Sequence, residues 1–123
     1  MQKGYVAIIS VIVLTAILTI ITITLTASSI NSLQSSRTMA VSYKTLSAVE
    51  GCTEDVLLYL RANNSLPANI ITPTTTCTIT LNSHTGNIWD FKVAGSYQDY
   101  TKNLHVIAER NTTVNILDWQ EGP

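Results

Sequence analysis

The stretch YVAIISVIVLTAILTIITITLTA, residues 5–27, decides the fold of this chain. It contains thirteen Ile, Val and Leu residues, and no charged side chain occurs between Lys3 and Arg37. As a helix the stretch is about 35 Å long, enough to cross a hydrocarbon core of roughly 30 Å. Its apolar side chains favour insertion by about 4–8 kcal/mol at most. In lipid every backbone N–H and C=O must be paired within the segment, which outweighs the low helix propensity of β-branched residues. The stretch therefore predicts a membrane-spanning helix.

The charges that flank this helix predict its orientation. Lys3 and the α-amino group are the only cations on the short side. Because positive flanks stay in the cytoplasm, we expect the N-terminus to be cytoplasmic and the chain after residue 28 to be extracytoplasmic.

Helical periodicity continues beyond the apolar stretch and forms one stripe. Its members are Met39, Tyr43, Leu46, Val49, Val56 and Leu60. Since no proline precedes Pro67, the pattern predicts a single helix from about Tyr5 to about Ala62, with an amphipathic second half. Gly51 leaves an alternative open, because Thr53 could cap a new helix after a break at residues 51–53.

Alternating apolar residues follow the helix. Residues 76–81, 87–93, 100–108 and 112–119 each alternate in the manner of half-buried strands, and residues 83–87 have the composition of a turn. The sequence therefore predicts a small antiparallel sheet of three to four strands between residues 69 and 119, covered by the amphipathic half of the helix. This is an α+β fold.

Composition excludes several classes of function. Seven Lys and Arg oppose eight Asp and Glu, so the net charge is −1, and only 12% of the residues are charged. This balance provides no basic surface for nucleic acid. We find no nucleophile-elbow motif and no phosphate-binding glycine loop, so we expect no catalytic site, no cofactor and no enzyme activity. His84 and His105 are interpreted as solvated strand or turn residues.

The two cysteines, Cys52 and Cys77, both lie in the exported part of the chain. An oxidising compartment would allow them to form a disulfide, which would tie the helix to the first long strand. Metal binding is the weaker alternative, because neither histidine lies at a ligand spacing from the cysteines.

The segment Lys3-Gly4-Tyr5, the long apolar helix that follows, its amphipathic continuation and the small sheet together resemble type IV pilins and the pseudopilins of type II secretion. The resemblance implies a leader at residues 1–4, a transmembrane and assembly helix at 5–28 and an extracytoplasmic pilin-like domain at 29–123. It also implies that a prepilin peptidase cleaves after Gly4 and methylates the new amine of Tyr5. Residues 42–64 resemble the membrane-distal helix of PilX-like minor pilins.

One departure from the family is informative. Most major pilins carry a glutamate at the fifth mature position, which is Ile9 here. Its absence resembles the K-type pseudopilin and some minor pilins. The resemblance therefore implies a minor or accessory subunit, with other pilin subunits and the prepilin peptidase as partners, first in the inner membrane and then in a surface or periplasmic fibre.

A stripe of small hydroxylated residues lines one face of the predicted membrane helix. Its members, called here the hydroxyl stripe, are Thr15, Thr19, Thr22, Thr26 and Ser29. Such residues let helices approach closely, which predicts a helix-packing surface. Equally, each hydroxyl could bond to the carbonyl four residues earlier, in which case the stripe is incidental.

The sequence is also compatible with two other hypotheses. The first is a membrane-tethered extracytoplasmic binding domain whose helix is never processed. The second is a small secreted protein with a signal peptide cut near Ala27 or Ser28, although the apolar run is longer than a signal peptide requires.

Overall fold

The computed structural model describes residues 2–122, apart from the side chain of Gln2; Met1 of the predicted leader and Pro123 at the end of the predicted domain lie outside them. These residues form one helix and five strands: α1 Gln2–Asn63, β1 Asn69–Ile71, β2 Thr76–Thr85, β3 Ile88–Tyr97, β4 Tyr100–Arg110 and β5 Val114–Gly122. The predicted α+β fold, with a long N-terminal helix and an antiparallel sheet, is confirmed. The chain forms two compact units, of which the first ends at Thr38 and the second begins at Met39.

Helix α1 is continuous through Gly51, so the alternative of a break at residues 51–53 is wrong. A side chain at Gly51 would meet open space, so nothing packed there demands glycine. Thr53 does not cap a new helix; its hydroxyl donates to the carbonyl of Val49 at 2.9 Å. The helix ends where Asn64 adopts a left-handed conformation, with φ of 52°, and its N–H donates to the carbonyl of Leu60.

The sheet has the order β1-β2-β3-β4-β5, and every pair of neighbours is antiparallel. The four predicted strands are present, but the predicted count of three to four is too low, because β1 adds a fifth. This strand is three residues long, too short to show an alternating pattern, and it pairs only with Thr76–Thr78. Gly86, with φ of 60°, forms the turn between β2 and β3.

The core of the second unit lies between the amphipathic part of α1 and one face of the sheet. Helix α1 contributes Val49, Cys52, Val56 and Leu60, and the sheet contributes Cys77, Ile79, Trp89, Phe91, Val93, Leu104, Val106 and Ala108. One alternating set of apolar residues in each of the predicted strands 87–93 and 100–108 is thus buried throughout, namely Trp89, Phe91 and Val93, and Leu104, Val106 and Ala108. We call this face of the sheet the inner face and the opposite one the outer face.

Some apolar residues of the predicted helical stripe and of the predicted strands 76–81 and 112–119 are exposed. Met39 and Tyr43 are 61% and 71% exposed. At about 100° per residue, Tyr43 points about 120° away from Val49 and therefore off the sheet. Met39 is exposed as the first residue of the second unit. Leu81 is exposed because it lies beyond the end of β1 on the second strand, and Ile116 because β5 is an edge strand.

Candidate functional site

The apolar part of α1 is the most unusual surface of the chain. Every described side chain from Lys3 to Ala40 is exposed, and the most apolar window of α1 has a mean hydropathy of 2.9 with none of it buried. This helix, near the N-terminus, is long and apolar enough to span a membrane. Exposed apolar surface on this scale requires cover from outside the chain.

The predicted processing site lies in the first turns of this helix. Lys3, Gly4 and Tyr5 are helical and exposed, Tyr5 at 67%. A Cβ added to Gly4 would have no neighbour within 4 Å. Packing within this chain therefore does not explain the glycine, and cleavage after Gly4 stays a prediction.

The threonines of the hydroxyl stripe are bonded within their own helix. Thr19 donates to the carbonyl of Thr15 at 2.7 Å, and Thr22 and Thr26 donate to the carbonyls of Leu18 and Thr22 at 2.8 Å. Thr15 does the same to Val11. The hydroxyl groups of these threonines therefore already donate within their own helix. If the stripe contacts another helix, it does so because its side chains are small and allow close approach. Its use as a packing surface, including Ser29, stays a prediction.

Cys52 and Cys77 form the predicted disulfide, with 6.4 Å between their Cα atoms. The bond joins α1 to β2, and both residues are fully buried. Beside it, a Cβ on Gly95 would come within 2.8 Å of Val49 and 3.0 Å of the Cys77 sulfur. Glycine at this position thus permits the close approach of helix and sheet. Closing a loop of this size stabilises the fold by about 3–4 kcal/mol in the chain-entropy model.

The disulfide occupies both cysteines, so the metal alternative does not apply to them. Within residues 2–122, no cluster of three His, Cys, Asp or Glu side chains could hold a metal ion.

A polar cluster on the outer face was not evident from the sequence. Nε2 of His105 lies 2.6 Å from Oδ1 of Asp90, and Nδ2 of Asn82 donates to the same oxygen at 3.0 Å. Partial desolvation acts to raise the pKa of Asp90, but the hydrogen bonds from Asn82 and His105 and the charge of His105 outweigh it and lower the pKa. His105 is therefore a half-buried partner of a carboxylate rather than a solvated residue. Only the strand register, which sets residues far apart in sequence side by side, reveals this cluster.

The other histidine is exposed, in agreement with its interpretation. His84 stacks on Trp89, with 3.7 Å between the ring centroids, and its Nε2 lies 2.8 Å from the carbonyl oxygen of Gly86. Both contacts lie at the β2–β3 turn, so the ring of His84 has a structural role in packing this turn.

An open groove lies beside β5 on the inner side of the sheet. It has a volume of about 360 Å³ and lies between α1 and β5. Its lining residues are Glu54, Leu57, Leu58, Arg61, Thr113, Val114 and Ile116. The groove shows that the helix leaves part of the β5 side of the sheet uncovered.

No family model, curated protein or solved structure matches the chain.

Proposed function

We propose that this chain is a structural or assembly subunit, of the minor or accessory kind, of a type IV pilus-like or type II secretion pseudopilus fibre. It polymerises through the apolar part of α1 after a prepilin peptidase cleaves between Gly4 and Tyr5. The observation that carries the proposal is a single helix whose first half exposes apolar side chains on all faces and whose second half belongs to the core of a folded unit.

This combination suits a subunit that exchanges one apolar environment for another. In a bilayer, lipid covers the exposed Ile, Val and Leu side chains. In a fibre, the same side chains are covered by the helices of neighbouring subunits, and the small residues of the hydroxyl stripe allow close approach. A helix that serves only as a membrane tether is covered by lipid alone, so it does not require a stripe of small residues on one face.

Gly4 supports processing at the proposed bond. The residue is exposed, and its missing side chain relieves no contact within the chain. A glycine that is unexplained by its own fold is consistent with recognition by another protein, here the peptidase, which would act on the cytoplasmic side next to Lys3.

The disulfide supports export of the folded unit. Disulfides persist in oxidising compartments and are rare in the cytosol. A Cys52–Cys77 bond therefore fits a unit on the far side of the membrane from Lys3.

Ile9 supports an accessory role. An unpaired carboxylate within a bilayer is costly, so a glutamate at this position would need an amine partner. Ile9 inserts without such a partner, and it gives up the contact through which a bulk subunit of this family would engage its neighbour.

The experiment that tests the proposal is intact-mass and N-terminal peptide analysis of the full chain from its native membrane fraction, without reductant. We expect a chain that begins at N-methylated Tyr5 and is lighter by two hydrogens because of the disulfide. An uncut N-terminus at Met1 would overturn the proposal in favour of a tethered domain, and a start near Ser28 would indicate a secreted protein.

A matched pair of glycine variants makes this test specific. Gly4→Leu should abolish cleavage, whereas Gly51→Ala, at an equally open helical position, should leave it unchanged. Equal cleavage of both variants would show that the peptidase does not act at Gly4.

A further inference from the structure

The β4–β5 turn is the starting point for this inference. It consists of residues 111–113, and its sequence Asn111-Thr112-Thr113 has the Asn-x-Thr spacing of an acceptor for N-linked saccharides. A saccharide is bulky and hydrophilic, so its asparagine must lie on the surface of the folded protein. All three residues of the turn are exposed, and the turn therefore meets this requirement.

The side chain of Asn111 is held with its nitrogen available. Its Oδ1 accepts a hydrogen bond of 2.7 Å from Nδ2 of Asn87, which lies in the β2–β3 turn. The N–H of Arg110 also donates to the carbonyl of Asn87, at 2.8 Å, and this bond holds the two turns side by side. Within residues 2–122, no group accepts a hydrogen bond from Nδ2 of Asn111. The atom that would carry the saccharide is therefore the unbonded end of this amide.

A second asparagine with the same spacing provides a comparison within the chain. The sequence contains two Asn-x-Ser/Thr triplets, and the other is Asn63-Asn64-Ser65, which is also exposed. Asn63 is the last residue of α1, and its Nδ2 donates to the carbonyl of Tyr59 at 3.3 Å. The two triplets thus share exposure and spacing, but only at Asn63 is the amide nitrogen already bonded to the helix backbone.

We propose that Asn111 is an N-glycosylation site of this chain. The co-reactant is a saccharide linked to a polyprenyl phosphate in the membrane. Nδ2 of Asn111 forms a bond to the anomeric carbon of the saccharide, and the bond from that carbon to the phosphate oxygen breaks. The polyprenyl phosphate leaves with the electron pair, and one amide proton passes to a basic group of the transferase. Because the transfer takes place outside the cytoplasm, the inference rests on the proposed function for the location of the second unit.

The position of Asn111 gives the saccharide a physical role. The open groove beside β5 is lined by Thr113 and Val114, and Ile116 and Leu117 are 48% and 55% exposed on the same strand. A sheet edge with exposed apolar side chains is liable to pair with other chains. A bulky hydrophilic group in the turn that precedes this edge hinders such pairing.

Glycopeptide mass spectrometry of the full chain from its native membrane fraction tests the proposal. Lys92 and Lys102 lie between the two triplets, so trypsin releases Asn63 and Asn111 on separate peptides. We expect a saccharide on the peptide that contains Asn111. We expect about fivefold lower occupancy at Asn63, because the hydrogen bond from its Nδ2 must break first.

Matched variants identify the attachment site. Asn111→Gln and Thr113→Val should each abolish the modification, since they remove the asparagine and the hydroxyl that the acceptor pattern requires. Thr112→Val, in the same exposed turn, should leave it unchanged, because the middle position accepts any residue except proline. Formation of the Cys52–Cys77 disulfide in each variant verifies that the domain is folded.

The contrary outcomes are distinct. An unmodified Asn111 would overturn the inference, and so would a saccharide confined to Asn63. A saccharide that persists in Asn111→Gln would also overturn it, because the attachment would then be to another residue.

N-terminal analysis of the same samples separates the inference from the proposed function. Chains that begin at N-methylated Tyr5 but are unmodified at Asn111 would overturn the inference and leave the proposed function standing. Chains that carry the saccharide on Asn111 but remain uncut at Met1 would support the inference and overturn the proposed function.

Discussion

Residues 3–38 and residues 39–122 obtain their stability from different sources. In the first region every side chain is exposed, although most are apolar. In the second, twelve apolar residues are buried in one core and a disulfide joins helix to sheet. The first region therefore depends on its surroundings, whereas the second depends on its own packing. The same kind of substitution should therefore have a large effect in one region and little effect in the other.

The largest effect is expected from a cavity in the core. Phe91 is fully buried, so Phe91→Ala should lower the free energy of unfolding of the second unit by about 3–5 kcal/mol. Leu18→Ala, in the apolar helix, should leave that free energy unchanged, because Leu18 is 62% exposed. Denaturant titration of the full chain in detergent micelles measures both variants. Similar losses from both substitutions would contradict the division into two sources of stability.

A charge in the apolar helix should have the second largest effect. Leu18→Asp should disfavour membrane insertion by about 3 kcal/mol, because an acidic side chain lies near the centre of the bilayer. Leu58→Asp is the matched control, since Leu58 is 63% exposed but lies in the second unit. Fractionation of membranes after expression measures the inserted share of each variant. Equal insertion of the two variants would contradict this prediction, because it would show that Leu18 does not lie within the bilayer.

Sequence patterns predicted the helix, the strands of ordinary length and the disulfide, because each depends on local periodicity or on a single pair of cysteines. The exposed positions of Met39 and Tyr43 were not predicted, since a stripe identified from spacing does not show where the sheet ends. The contact between Asp90 and His105 was also missed, because it depends on the register between β2, β3 and β4. Cleavage at Gly4 and packing through the hydroxyl stripe stay predictions, since both involve other proteins.

The contact that closes the end of α1 should have an intermediate effect. Nε of Arg110 donates to the carbonyl of Leu60 at 2.9 Å, and its Nη2 donates to the carbonyl of Arg61 at 3.0 Å. Arg110→Met should lower the free energy of unfolding of the second unit by about 1–2 kcal/mol, because it leaves helix carbonyls without a cationic donor. Lys92→Met, which removes a cation from a neighbouring strand, is the control. Equal unfolding midpoints for Arg110→Met and the unmodified chain would show that these two bonds contribute nothing.

The smallest effect, and the one that depends on pH, is expected at the outer-face cluster. Hydrogen bonds from Asn82 and His105, together with the charge of His105, lower the pKa of Asp90 in the folded chain despite partial desolvation. A lowered pKa means that the carboxylate stabilises the fold above its ordinary pKa, and that this stabilisation disappears as the pH falls through the folded value. Asp90 keeps 26% of its side chain exposed, so the effect should be well below that of Phe91→Ala.

Asp90→Asn should therefore be less stable than the unmodified chain near neutral pH, and the difference should shrink as the solution is acidified. Unfolding titrations from about pH 6 to about pH 2 measure this convergence. His105→Gln serves as the partner control, because it removes the charge on the ring but leaves Asn82 in place, and it should reproduce part of the change. A difference between Asp90→Asn and the unmodified chain that stays constant over this range would show that the carboxylate acts through packing alone. Convergence would instead show that the second unit provides a partner for the charge of Asp90 from its own side chains. The exposed apolar side chains of residues 3–38 have no such partners within their own unit.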